Sequence, residues 1–329
     1  MSSIYASDPD AAPDSEFRPA ELAHLVPGNR GRLLDARRTP VIVTAVTPAR
    51  GAFEIEIGAF EDAGARWELP LWEIERFQFP PPSELAPPAA VAELERARER
   101  FDRELRIDPD AAALERTNER LAGAQAAAAD TLAAVIPRLD VDRCVDGRHG
   151  DPQLYALLDR FMTERGLAAL DRDFTETFVS NPNSGELVKG HAIVLAELGL
   201  HPYRGKVVRD PALFSGQSSK SRRAEHLVAR LGFTRALWRG LGYRQLTLYR
   251  GAALDGTFAA RPSGSFVSAT FSKAVAEAHF AGGQSTRTSL LWRGHVPLDR
   301  VLITFLETEA MNRRFREAEA VLIGDLGVM

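Results

Sequence analysis

Residues 316–323 read Arg316-Glu317-Ala318-Glu319-Ala320-Val321-Leu322-Ile323. Side chains two apart on a strand share a face. Glu317 and Glu319 therefore point the same way, followed on that face by Val321 and Ile323, while Ala318, Ala320 and Leu322 form the other face. A strand apolar on both faces is a central one. The pattern predicts a buried strand over 318–323 whose first turn holds two carboxylates at the rim of a core. Two earlier pieces have a related form. In Leu248-Tyr249-Arg250-Gly251, Leu246, Leu248 and Arg250 align, so an apolar face ends in a cation. In Phe266-Val267-Ser268-Ala269-Thr270-Phe271-Ser272, Phe266, Ser268 and Thr270 align likewise.

Around these pieces, strands are expected over 246–249, 266–269, 289–296 and 301–305. Helices are expected before them over 154–162, 191–198 and 224–241, the last with Leu227, Leu231, Leu237 and Leu241 roughly on one side. Helices followed by a cluster of strands indicate an α+β domain rather than alternating βαβ units. The expectation for 147–329 is a mixed β-sheet core preceded by helices.

The first half reads differently. Residues 1–18, rich in Asp, Pro, Ala and Ser, suit a disordered tail. Over 19–82 the period is two: Phe53, Ile55 and Ile57 alternate with glutamates, Trp67, Leu69 and Leu71 alternate again, and glycines punctuate the runs. This predicts a small β-rich, barrel-like domain or a curled sheet. Over 84–146, Val91, Leu94, Phe101 and Leu105 follow helical spacing, Asp108-Pro109-Asp110 breaks it, and an alanine-rich stretch at 124–129 suits close helix packing. A helical hairpin linker is expected there.

The 329 residues suggest about two domains at roughly 100–200 residues each. With 45% apolar and 26% charged residues, a packed core is expected and wholesale disorder is excluded. The single cysteine, Cys144, rules out an intrachain disulfide. No run of about 18 apolar residues argues for a membrane span, and the first residues lack the basic and apolar regions of a secretory signal. The expected location is the cytoplasm, or outside the cell after export without a signal peptide of the usual kind.

Several motifs fail on inspection. Asp140 to Gly147 lacks the carboxylate spacing of a calcium loop. Ser215 to Ser221 lacks the glycines and preceding strand of a phosphate cradle. The seven histidines never pair at metal-ligand spacing, so no metal is expected.

The three pieces together make chemical sense for cleaving an N-glycosidic bond. A carboxylate fixed beneath a developing oxocarbenium centre stabilises it, and in a water-poor cleft that term is often the largest. An arginine grips a diphosphate with its planar fork. A hydroxyl can orient the first carboxylate, and a second carboxylate can accept a proton from the incoming nucleophile.

The order Arg250, Ser268-Ala269-Thr270, Glu317-Ala318-Glu319 resembles the R-S-E class of mono-ADP-ribosyltransferases, which includes bacterial toxins and effectors. The resemblance covers 244–324, about a quarter of the chain. It implies an ADP-ribosyltransferase fold and NAD as substrate without a metal. By this resemblance Arg250, with Gly251, would hold NAD, Ser268 would orient the catalytic Glu319, Thr270 would brace the NAD-binding fold, and Glu317 would activate the acceptor. Glutamate at position 317 goes with an arginine acceptor on a protein. The polar loop over 307–316 would help recognise the target, with Arg314 and Phe315 as candidate contacts. Ala269 departs from the threonine usual in the family. The alternatives are NAD hydrolysis by the same residues, or a nucleic-acid-binding protein that modifies or only binds RNA or DNA. No family resemblance covers 1–146.

A last feature is the segment 204–250, with eleven Lys and Arg against Asp210 and Glu225 in a chain of net charge −4. It reads as an exposed helix face, or as an electrostatic site for NAD or for nucleic acid.

Overall fold

The computed structural model describes residues 17–34, 38–59, 63–81, 83–180, 185–254, 264–279, 288–313 and 316–324. The tail expected over 1–18 lies outside them but for its last two positions. The chain divides into two units, Met1–Glu104 and Leu105–Met329.

In the first unit β1 (Arg18–Pro19), β2 (Arg30–Leu33), β3 (Pro40–Thr47), β4 (Ala52–Ile57), β5 (Arg66–Pro70) and β6 (Phe77–Phe79) form an antiparallel sheet in the order β1-β6-β2-β3-β4-β5. β1 and β5 are the two ends of this order among the described residues. The period-two reading accounts for β4: Phe53, Ile55 and Ile57 are buried, while Glu54 and Glu56 between them are partly exposed. Helix α1 (Pro88–Phe101) opens with proline, whose missing N–H costs nothing there. It buries Leu94 and Ala97 in the core that holds Phe53 and Phe77. Gly51 turns β3 into β4 at φ 58°, and a Cβ there would fall 2.3 Å from the Phe101 ring. Both the backbone conformation and the space therefore demand glycine.

All but the first residue of β7 (Glu104–Ile107) belongs to the second unit, followed there by α2 (Ala111–Leu132), α3 (Val141–Gly147), α4 (Pro152–Thr163), α5 (Ala168–Ser180) and α6 (Glu186–Glu197). It continues with β8 (Tyr203–Lys206), α7 (Lys220–Gly240), β9 (Gln245–Leu254), β10 (Phe266–Thr270), α8 (Lys273–Ala278), β11 (Thr288–Pro297), β12 (Val301–Thr304), α9 (Ala310–Arg313) and β13 (Glu319–Ile323). β7 pairs with β8, and the other five strands form a sheet in the order β11-β9-β10-β13-β12. The segment 84–146 is thus divided between the units, α1 in the first and α2 and α3 in the second.

The architecture is α+β, with helices first and strands later. The expectation of a mixed sheet is corrected, because every pairing in the five-stranded sheet is antiparallel. Parallel neighbours need a crossover, usually helical. Here α8 joins β10 to β11, which are not neighbours.

Helix α7 is buried around its circumference from His226 to Trp238. This corrects the expectation of an exposed basic face. On one side it meets the alanine-rich stretch of α2: a Cβ on Gly232 would lie 2.7 Å from the Ala124 Cβ. On another side the Trp238 ring stacks on Phe271, whose ring in turn meets Phe305 edge-on. β13 is buried from Ala320 to Ile323, as its two apolar faces require. Among the described residues no helix is long and apolar enough to cross a membrane.

Candidate active site

β10 lies between β9 and β13, and its register sets Ser268 opposite Val321 and Thr270 opposite Glu319. Ser268 is the only member of β10 that is not buried. Its Oγ donates a hydrogen bond to Oε1 of Glu319. Arg250, on β9, donates from Nη1 to the Ser268 carbonyl. Arg250, Gly251, Ser268, Thr270, Glu317 and Glu319 all line one cleft of about 210 Å³. Tyr249, Ala269, Val275 and His279 complete its wall.

Glu317 does not share the strand with Glu319, as the period-two reading expected. β13 begins at Glu319, because Arg316 and Ala318 adopt left-handed backbone at φ 46° and 48°. Such a conformation costs a non-glycine residue about 1–2 kcal/mol. The backbone is held there by two bonds. The Thr270 hydroxyl donates to the Glu317 carbonyl, and the Phe271 N–H donates to the Ala318 carbonyl at 3.0 Å. Thr270 Oγ1 also accepts from the Ser272 N–H at 3.0 Å. Thr270 therefore acts on the backbone that carries Glu317. Strain stored at a cleft and held by its surroundings is a mark of functional sites.

Burial pushes the Glu319 carboxyl up to about 7, with the Glu317 charge adding to the rise. The Ser268 hydroxyl and Arg250 act in the opposite direction. Glu317 also lines a second cleft of about 690 Å³, together with Asp146, Arg148, Phe271 and Lys273. Val275, His279 and Glu317 belong to both walls, so the two clefts meet there. His279 Nε2 stands 3.9 Å from Glu317 Oε1. Nothing in the sequence marked His279, since it follows the end of α8 and has no motif around it.

The acceptor loop expected over 307–316 is only partly a surface loop. Glu307, Thr308 and Met311 are buried, and Asn312 donates to the Phe305 carbonyl at 2.7 Å. Arg314 and Phe315 lie outside the described residues.

The cations of 204–250 are largely spent inside the unit. Arg209 pairs with Glu186 at 3.1 Å and Arg230 with Asp171 at 3.0 Å. Arg204 pairs with Asp108, and Lys220 with Glu197. Arg223 donates to the carbonyls of Ser218, Leu187 and Leu213, and Arg235 to that of Asp299. Arg209, Arg223, Arg230 and Arg235 thus answer partners inside the unit, whereas Arg204 and Lys220 pair at its surface.

No protein-family model matches the chain, and no curated protein or solved structure matches it at a significant level.

Proposed function

We propose that the chain transfers ADP-ribose from NAD to an acceptor on a macromolecule, most simply a protein arginine, and releases nicotinamide. The observation that carries this reading is the Ser268–Glu319 hydrogen bond inside a cleft that also holds Arg250 and Glu317.

Each group has a task its surroundings suit. Arg250 offers a planar fork to the diphosphate at the cleft mouth. Glu319, desolvated and steered by Ser268, faces the ribose carbon. Cleavage sends the C1′–N bonding pair to the pyridinium, which leaves as neutral nicotinamide, and positive charge develops on the ribose. A carboxylate placed beforehand stabilises that charge without reorganising. An acceptor nitrogen then bonds to C1′ and passes its proton to Glu317. The broad cleft that opens beside Glu317 gives an acceptor a path to this point. That favours transfer over hydrolysis, in which water would take the acceptor's place.

Glu319→Gln tests the reading, because it removes charge at nearly constant shape. Nicotinamide release should fall by about 10³-fold with the fold intact by circular dichroism. Undiminished release would remove Glu319 from the chemistry. Mass spectrometry of labelled proteins should place the ADP-ribose adduct on arginine. An adduct on another residue would overturn the acceptor assignment, and nicotinamide without any adduct would leave hydrolysis.

A further inference from the structure

Arg230 and Glu307 are both fully buried in the second unit. Arg230, on α7, places Nε 3.0 Å from Asp171 Oδ1 and donates from Nη2 to Thr308 Oγ1 at 2.9 Å. Its Nη1 stands 3.9 Å from Glu307 Oε1. Glu307 Oε1 accepts the Thr304 N–H at 2.7 Å, and Oε2 accepts the Thr304 hydroxyl. Thr234 Oγ1 lies 3.4 Å from the same carboxylate, and Trp238 Nε1 donates to Thr304 Oγ1 at 3.3 Å. The residue after Thr304 is Phe305, whose N–H donates to the Glu319 carbonyl at 2.7 Å.

Burying an ion pair seldom stabilises a fold more than apolar residues of the same volume would. What this one supplies is direction. It fixes the end of β12 where the chain leaves the sheet, at the point where β12 holds the first residue of β13. That residue is Glu319. We infer that the Arg230–Glu307 pair positions Glu319 through Thr304 and the Phe305–Glu319 backbone bond, and so sets turnover without touching NAD. Arg250 is carried by β9, which does not neighbour β12 in the sheet, so binding of the diphosphate should change less than turnover.

The inference rests on the proposed reaction for its kinetic consequence, but its structural half can be read separately. Thr304→Val cuts only the hydroxyl that Glu307 and Trp238 share, and Thr304→Ser restores it. In full-length protein, kcat for nicotinamide release should fall about tenfold or more in Thr304→Val, since small misplacements of reacting groups are costly. KM for NAD should stay within about twofold, and Thr304→Ser should recover turnover. Glu307→Ala should fall further, by about 100-fold. Calorimetric titration with NAD must show full binding stoichiometry, which separates misplacement from a loss of folded protein.

Amide exchange at Phe305 is the second measurement and needs no turnover. It should be at least about tenfold faster in Thr304→Val than in the native chain. Unchanged exchange overturns the positioning role, as does an unchanged kcat in a variant that binds NAD fully. A native chain that releases no nicotinamide overturns the proposed reaction instead, and Phe305 exchange then decides the positioning role alone.

Discussion

The hydroxyl of Ser268 donates to Oε1 of Glu319 across the β10–β13 pair, and it opposes the burial that lifts this carboxyl to about 7. The ionised form is the one that stabilises positive charge on ribose. Turnover at low NAD should therefore rise with pH through about 7. A hydrogen bond to a charged group is worth about 1.5–3 kcal/mol. Ser268→Ala should move the acid limb of kcat/KM to higher pH by about one unit or more. A pH–rate profile checks it, and an unmoved limb would detach Ser268 from Glu319. The stability sign follows from linkage. A carboxyl raised in the folded state favours folding while protonated, so its contribution is present below the ordinary carboxylate range and is lost as pH rises through about 7.

Glu317 works on Glu319 in the other direction, because its charge raises the neighbour. Glu317→Gln should shift the same acid limb to lower pH. It should also suppress transfer to a guanidino acceptor by about 10²-fold or more, the usual worth of a general base, while hydrolysis falls less. Nicotinamide release measured with and without a small guanidino compound separates the two. An equal fall in both would show that Glu317 has no acceptor-specific task.

Much of this site is legible in the sequence. β9, β10 and β13 announce themselves by apolar residues flanking Arg250, Ser268 and Glu319. The glycine-punctuated alternation of β4 is equally plain. What escaped had no local signal. Arg316 and Ala318 adopt left-handed backbone without a glycine or asparagine to mark it, so period-two reasoning ran two residues too far. Helix α7 hid its place because it buries three arginines, His226 and Thr234 among its apolar residues. A hydrophobic stripe cannot be read from a helix whose polar side chains find their partners in the core. Glu307 read as the start of a surface loop for the same reason: the cation it faces, Arg230, lies more than seventy positions earlier in the chain.

Arg230 faces two buried carboxylates, Asp171 at 3.0 Å and Glu307 at 3.9 Å, and its removal should be felt in stability as well as in turnover. Asp171 is held below the usual carboxylate range: burial pushes it up, but Arg230 and His226 outweigh that. Its contribution is therefore present above the ordinary carboxylate pKa and is lost as pH falls through the lowered value. Arg230→Met strands Asp171 and Glu307 without their cation. Breaking a buried pair from one side costs about 3–5 kcal/mol. Urea unfolding should show that loss at neutral pH and a smaller one at mildly acidic pH, where stranded carboxyls can take up protons. A loss that does not shrink on acidification would mean that packing, not charge, is what Arg230 provides.

Gly232 and Ala124 set how closely α7 and α2 approach. Alanine is normally the better helix former, by about 1 kcal/mol over glycine. At position 232, however, an added Cβ would lie 2.7 Å from the Ala124 Cβ and 2.9 Å and 3.0 Å from the Ala124 carbonyl carbon and the Gln125 nitrogen. Two of these three atoms are backbone, so the helices must move apart rather than a side chain rotate. Overpacking of this kind costs about 1–3 kcal/mol, which outweighs the propensity gain. Gly232→Ala should therefore lower the urea midpoint. Ala124→Gly removes one of the three close atoms. The double variant should recover part of the loss, so a double-mutant cycle should give a favourable coupling of about 0.5–1 kcal/mol. If Gly232→Ala raises the midpoint, propensity has won and the two helices are not in backbone contact at this point.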